Sequence, residues 1–521
     1  MADAWVWWKH GVIYQIYPRS YQDSNGDGVG DLPGIISRLD HLNDGTERSL
    51  GIDAIWLSPF YRSPMADFGY DVSDHRDVDP IFGTLEDLDR LVRAAHARGI
   101  RVVVDLVPNH TSDQHPWFVE ARRSRADPRR DWYVWADPGR GGGPPNNWRS
   151  SFPRVGRAWT LDPATRQYYL HHFLPQQPDL NWWNPRVRDA MDQVMRFWLD
   201  RGVDGFRVDV AHGLLSDEAL RDNPRVTLGG RRRRRDVDLD EVHEIHRAWR
   251  RTLDEYGDRM AVGEVFLTDL RRLVRYYGED DELQLSFNFM FLSQPWDAGR
   301  FRRAVERYEA LLPPHAWPDF TLSNHDRPRA ASRYGARNAA TAALMLLTLR
   351  GTPFVYYGEE IGMTDVPIPR ERVVDVDGRD PERTPMQWEG STGAGFTTGS
   401  PWLPIAGNAD RVNVAAQRDD PGSLFSFYRR VIRTRRGSAA LRWGTYRSLP
   451  AARGVFAYMR EHEGERLAVA LNFTDAERPF SPPWAGSATR VLHSTCPERD
   501  GTIAGPLMML APNEGVLLSA G

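Results

Sequence analysis

Residues 85–110 read LEDLDRLVRAAHARGIRVVVDLVPNH. Leu85, Leu88, Leu91, Val92 and Ala95 return every three or four positions, the period of an amphipathic helix. The spacing predicts a helix over 85–98, stopped by Gly99 just past the last periodic residue. Arg101–Val107 is then a short β-branched run of the kind that forms a buried strand. Polar residues, Asn109 and His110, follow at its C-terminal end. Helix, glycine, apolar strand and polar tip together make one unit of a βα repeat.

The unit recurs on both sides. Further strands are expected at Gly11–Tyr17, Ile52–Ser58, Gly205–Val210, Met260–Val265, Gln284–Phe289, Phe320–Ser323 and Pro353–Tyr357. A second helix is expected over Val187–Leu199, with Gly202 after it. Strands alternating with helices predict an α/β fold, a parallel (β/α)8 TIM barrel. Polar residues gather at the strand ends: Asn109 and His110, Asp209, Glu264, and Asn324 to Asp326. That is the face on which such barrels carry their active sites.

Two stretches break the rhythm. From 111 to 175 the chain mixes Pro, Gly, Trp and Tyr, including GRGGGPPNNW, which suggests a small inserted domain after strand 3. From 439 to 521 the runs alternate, as in Gly454–Arg460, Arg466–Phe473 and Met508–Leu518, which suggests a terminal antiparallel β-sandwich domain. The barrel would then occupy 1–110 and 176–438.

Composition narrows the chemistry. The chain has 521 residues and 67 basic side chains, of which only Lys9 is a lysine. A Schiff-base, phosphate-loop or kinase-type lysine would have to be Lys9, which lies beside Trp7 and Trp8 with no Gly-rich loop. Pyridoxal enzymes, P-loop nucleotidases and kinases are set aside on that ground. Cys496 is the single cysteine, so no intramolecular disulfide and no cysteine zinc site can form. The net charge of -4 gives no footprint for nucleic acid. The arginine run at 231–235 is followed at once by Asp236, Asp238, Asp240 and Glu241 and reads as a solvated loop. The longest apolar run, Ala339 to Leu349, is too short to cross a bilayer and reads as a buried helix. A soluble cytoplasmic protein, a monomer or small homo-oligomer, is the expectation.

Asp209 closes GFRVDV, Glu264 closes AVGEV, and Asp326 follows Asn324 and His325. Any one of these acids is most simply an ion-pair partner for an arginine. Three on one barrel face suit glycoside hydrolysis: one attacks the anomeric carbon, one protonates the leaving oxygen and one stabilises an oxocarbenium-like transition state.

The chain resembles the α-amylase superfamily (glycoside hydrolase family 13), in its α-glucosidase and oligo-1,6-glucosidase branch. The matching strings are DLVPNH at 105–110, GFRVDV at 205–210, GEV at 263–265 and SNHD at 323–326, with QPDLN at 177–181 pointing to the glucosidase branch. The resemblance implies Asp209 as nucleophile, Glu264 as acid and then base, and Asp326 as the group that grips sugar hydroxyls. It implies Arg207 beside the nucleophile, keeping it ionised, and His110 and His325 on the hydroxyls of the glucose at the cleavage point. GYD at 69–71 resembles the family's pocket-closing segment. From it, Asp71 is expected to pair with Arg383 of RTPMQW and seal the pocket, so that glucose leaves only from a chain end.

Asp23, Asn25, Asp27, the Val29 carbonyl and Asp31 form an alternating oxygen pattern with Gly28 at the sixth place, like the start of an EF-hand loop. The branch uses such a loop for structural Ca²⁺; no organic cofactor is expected. Gly34 stands where an EF-hand has its bidentate glutamate. Trp117, Trp148, Trp182 and Trp183 are of the type that stacks on sugar rings, but most are expected to be packing residues, and none is assigned to the site.

Two positions bear on specificity. Arg327 stands where family members often have Gln. Val210, after the nucleophile, resembles the α-1,6-preferring members. The loop from Gly213 to about Arg235 is expected to shape the leaving-group site. The resulting reading is a retaining exo-acting α-glucosidase acting on short oligosaccharides or disaccharides. The alternatives are a transglucosylase or sucrose/trehalose-active member of the family, and a non-catalytic, transporter-associated sugar-binding subunit.

Overall fold

The computed structural model describes residues 4–224, 234–484 and 488–520. Its centre is eight parallel strands: β1 (Ile13–Ile16), β2 (Ala54–Leu57), β3 (Arg101–Leu106), β4 (Gly205–Val208), β5 (Met260–Gly263), β6 (Leu285–Ser286), β7 (Asp319–Thr321) and β8 (Thr352–Tyr356). Their ladders run in the order β6-β5-β4-β3-β2-β1-β8-β7. Phe291 packs on Phe320 across the remaining seam, with ring centroids 4.6 Å apart. The fold is the expected (β/α)8 barrel.

Helices alternate with the strands, and the sequence explains their limits. The helix Leu85–His96 starts at a capping box in which Thr84 and Asp87 exchange hydrogen bonds. Gly99 takes φ 69°, a left-handed turn open to glycine at little cost. The helix Pro185–Asp200 begins with Asn184 as its cap and buries Val187, Met191, Val194, Met195 and Trp198. Ala339–Thr348 is buried along most of its length. Among the described residues no helix is long and apolar enough to cross a membrane.

Most strands are shorter than the runs expected from the sequence, and two of them end early for a clear local reason. β6 ends at Ser286 because Asn288 turns to cap the helix Phe289–Leu292, its side chain accepting from the Phe291 N–H at 3.2 Å. β4 ends at Val208 because Val210 adopts φ 46°. A β-branched residue in that region is strained, as is common next to functional sites.

Strand pleating sets the barrel's interior. Successive side chains of a strand face opposite sides. Val102, Val104 and Leu106 therefore pack outward with the helices, while Val103 faces inward with Ile13, Trp56, Met260, Val262 and Phe354. Two residues further up, the inward position is Asp105, opposite Arg207 of β4. The barrel is thus apolar at its floor and charged towards its C-terminal mouth. Lys9 lies at the other end, in Trp7–His10 ahead of β1, its ammonium 4.9 Å from the Trp317 ring centroid.

Between β3 and β4 the chain forms the helix Pro116–Ala121 and a three-stranded antiparallel sheet of Trp135–Ala136, Gln167–Leu170 and Trp159–Asp162. Bridges from His110 to Asp179 and from Tyr133 to Leu180 fasten the QPDLN segment to this insertion. After Arg442 the chain forms a six-stranded antiparallel sheet. The pair Arg478–Phe480 and Met508–Leu510 joins it around Leu449, Val455, Trp484, Val491 and Leu518.

Candidate active site

The polar strand ends surround a cavity of about 730 Å³ at the barrel mouth. Asp209, Glu264, Asp326 and His110 line it. Beneath them lies Arg207, whose guanidinium is an organising cation. Its Nη1 lies 2.7 Å from Asp209 Oδ1 and 2.6 Å from Asp105 Oδ1, and its Nη2 lies 2.7 Å from Glu264 Oε2. Asp209 and Glu264 therefore sit side by side on one planar fork, close enough to hydrogen-bond each other. The strained Val210 contributes too: its N–H donates to Glu264 Oε2 at 3.1 Å.

Charge follows from this crowding. Burial pushes the Asp209 carboxyl well above its usual range; Arg207 opposes the rise, and the like charges of Glu264 and Asp105 reinforce it. Burial also pushes Asp105 up to about 6, again against Arg207. Three carboxyls around one guanidinium leave an excess of negative charge, so the cluster retains a proton. Arg207 is bonded to Asp209 as expected, but burial outweighs its pull on the carboxyl.

Asp326 has the opposite character. Burial raises it, but the positive potential of His325, Arg379 and Arg383 outweighs burial and holds the carboxyl well below its usual range. His325 itself is driven down to about 3 by burial. It is uncharged at neutral pH, so the arginines carry the field. Gln15 Nε2 donates to His325 Nδ1 at 2.8 Å, which leaves the ring proton on Nε2, facing Tyr70 Oη at 2.6 Å and Asp326 Oδ2 at 3.2 Å.

The substrate-binding residues expected from the sequence divide. His110 lines the cavity and receives Gln177 Nε2 at 3.0 Å. His325 is fully buried, stacked against Tyr70 with centroids 5.5 Å apart, and does not line the cavity. The expected Asp71–Arg383 pair does not form. Asp71 is buried within its own loop, accepting Ser63 Oγ at 2.8 Å, Ala66 N–H at 2.8 Å and Asp67 N–H at 2.9 Å. Burial pushes its carboxyl up to about 6. Arg383 instead reaches Asp326 Oδ1 at 2.9 Å and the His325 carbonyl at 2.7 Å.

The pair that spans the cavity is Asp67–Arg379. Arg379 Nη2 lies 2.5 Å from Asp67 Oδ1, and Nη1 lies 3.1 Å from Asp326 Oδ1. Gln177 Nε2 also donates to Asp67 Oδ2 at 3.0 Å. The strings ADFGYD and GRDPER each hold two candidates four residues apart, and only the loop path decides which face the cavity. Sequence reasoning also missed Tyr70 and Asp105 as site residues. Tyr70 is the middle of GYD, and Asp105 is the first letter of DLVPNH, two positions from Val103 on the inward face.

Other expected positions fall as follows. Arg327 lines the cavity mouth, its guanidinium 5.3 Å from the Phe266 ring centroid. Trp148 and Trp182 are buried packing residues. Of the 213–235 loop, residues 225–233 lie outside the described residues, as does most of the arginine run; Arg234 pairs with Asp236.

In the 23–31 loop, Asp23 Oδ1 accepts the N–H groups of Asn25 and Gly26, Asn25 Oδ1 that of Asp27, and Asp27 Oδ1 that of Val29. Asp31 Oδ2 accepts from Ser24 at 3.0 Å, and its Oδ1 caps the next helix at Gly34. Asp23 and Asp31 are buried while Asn25 and Asp27 are exposed; oxygens of these kinds are the donor type a hard cation takes. Among the described residues, no three His, Cys, Asp or Glu side chains converge as a metal-holding group.

Fold and cavity together define a barrel enzyme with the paired carboxylates of a glycosidase. Residues 15–444 match the family model described as alpha amylase, catalytic domain, and the chain belongs to the α-amylase family. It is 40% identical to an oligo-1,6-glucosidase of Heyndrickxia coagulans over 531 residues, covering 92% of this chain and 94% of that one. It is 42% identical to a probable alpha-glucosidase of Rhizobium meliloti (strain 1021) over 502 residues, covering 90% of each. The crystal structure of an alpha-glucosyl transfer enzyme superposes with a TM-score of 0.92 at 40% identity, over 99% of this chain and all of that one.

Proposed function

We propose that this chain is a retaining exo-acting α-glucosidase that releases glucose from the non-reducing end of short α-glucosides. The observation that carries the reading is Asp209 and Glu264 on one guanidinium, in a cavity walled by Asp67–Arg379. Carboxyls this close favour attack by one of them on the sugar; inversion needs a gap of about 6.5–9.5 Å to admit a water.

The terminal glucose sits against the Asp67–Arg379 wall, which stops a longer chain from passing through. With sugar in the cavity, the proton that the cluster retains sits on Glu264; Asp209 attacks the anomeric carbon as a carboxylate while Glu264 gives that proton to the glycosidic oxygen, and the leaving sugar departs. Glu264, now a carboxylate, takes a proton from water, and that water displaces Asp209. Asp326, kept ionised by Arg379 and Arg383, stabilises the positive charge that develops on the ring.

The test is initial rates on p-nitrophenyl α-glucoside, maltose and isomaltose for wild type and Asp209→Asn. Wild type turns over and Asp209→Asn is inactive; full activity in the variant would overturn the assignment. A second reading, transfer of glucose to a sugar acceptor, is favoured by the structural likeness to an α-glucosyl transfer enzyme. Product analysis at high maltose or sucrose separates it. The oxygen pattern of the 23–31 loop supports a structural Ca²⁺ there, held by Asp23, Asn25, Asp27, the Val29 carbonyl and Asp31. The lone thiol supports a reduced, cytoplasmic setting, and a monomer or small homo-oligomer completes the reading.

A further inference from the structure

Arg379 carries the wall, yet it is a long side chain with several rotatable bonds, and its cavity-side partners touch only its two terminal nitrogens. Its Nε is held by one residue, Asp375, at 3.1 Å to each carboxylate oxygen, and Nη2 lies 2.6 Å from Asp375 Oδ1. Asp375 is 2% exposed. Its own position is fixed from the backbone: Oδ2 accepts the N–H of Asp377 at 3.1 Å and of Arg379 at 2.8 Å. Asp380 Oδ2 in turn accepts the N–H of Val374 at 2.9 Å and of Asp375 at 3.1 Å.

Charge balance leads to the same residue. Arg379 and Arg383 both place a guanidinium on one oxygen, Asp326 Oδ1, at 3.1 and 2.9 Å. Two cations crowded on one oxygen repel each other. Asp375 lies behind both, 3.6 Å from Arg383 Nη1, and supplies the negative charge that lets them share that oxygen. Phe152 of the insertion packs under the Arg379 guanidinium, its ring centroid 5.2 Å away.

We propose that Asp375 is the positioning residue of the pocket wall: by fixing the Nε edge of Arg379, it aims the fork at Asp67 and Asp326 and so confines the enzyme to chain ends. It acts through Arg379 and lies outside the cavity lining. The inference rests on the exo-α-glucosidase reading. It adds that end-specificity depends on a side chain that does not touch the sugar.

The test combines Asp375→Asn, Arg379→Lys and the double variant, with melting temperatures to verify folding. In Asp375→Asn, KM for p-nitrophenyl α-glucoside rises about tenfold while kcat stays within about threefold, the split expected when sugar binding in the ground state is lost. The variant also begins to cleave a p-nitrophenyl maltoheptaoside blocked at its non-reducing end, which wild type leaves intact. The double variant is no worse than Arg379→Lys alone, because both act through one guanidinium. Asp375→Glu, which keeps the charge, recovers most of the lost affinity. A KM within twofold of wild type, or fully additive losses, would overturn the proposal. If Asp375→Asn does not fold, Asp375→Ser, which also removes the carboxylate, and its double variant with Arg379→Lys complete the same cycle. Cleavage of the blocked substrate by wild type would overturn the exo reading itself, and it is distinguishable because it needs no substitution.

Discussion

Replacing Arg207 by lysine tests the centre of the site. The guanidinium places Nη1 on Asp105 and Asp209 and Nη2 on Glu264, at 2.6–2.7 Å. Its plane also lies near Trp56 and Tyr70, 5.3 and 5.7 Å from their centroids. A lysine keeps the charge but offers a single nitrogen, which cannot span all three acids. One charge-assisted contact is lost outright and the others lengthen. Breaking a buried pair altogether costs about 3–5 kcal/mol, and retained charge reduces that to about 2–4 kcal/mol here. If the loss falls on the transition state, kcat/KM drops roughly 30- to 900-fold. The assay is kcat/KM on p-nitrophenyl α-glucoside, with a melting curve to show that the variant is folded. A folded Arg207→Lys enzyme within threefold of wild type would refute the claim that the fork organises the two carboxyls.

Three further outcomes are expected. Burial pushes the Asp319 carboxyl at the start of β7 up to about 8, partly offset by the Asn288 N–H. The raised pKa means the unfolded chain gives up this proton first, so stability is lost as pH rises from about 4 through about 8. Asp319→Asn should therefore gain melting temperature over wild type progressively across that window and level off beyond it; an offset that does not change with pH would count against this. EDTA should lower the melting temperature, and Ca²⁺ should restore it, with Asp23→Ala insensitive to both; equal melting in EDTA and Ca²⁺ would remove the metal from the 23–31 loop. Val210→Thr should lower the isomaltose-to-maltose rate ratio several-fold, and an unchanged ratio would show that the residue after Asp209 does not set linkage preference.

How much could be read without the structure depended on the range of the forces involved. The barrel was legible because helix 85–96 and strand 101–106 carry their periods locally. The polar tips were legible because short strings such as GFRVDV fix which residues share a face. The wall was not. Asp67 and Asp71 sit in one loop, and Arg379 and Arg383 in another, so each pair member offers the same chemistry at the same spacing. The choice between them was made by Asp71 turning inward to accept three donors of its own loop. That is a backbone-path effect with no signature in composition. Asp105 was missed for a related reason: a buried acid on an apolar strand looks structural until the neighbouring strand places Arg207 opposite it. β6 was overextended because the run Gln284–Phe289 alternates polar and apolar residues as a strand does, and the capping role of Asn288 outweighs that pattern.

The position of Lys9 has a practical side. It bears the one side-chain amine of the chain and sits on Trp317 at the end of the barrel opposite the cavity. Burial lowers its pKa, so more of it is in the reactive neutral form at mildly alkaline pH. Side-chain coupling to an amine-reactive support would therefore attach the enzyme through its floor and leave its mouth facing the solution.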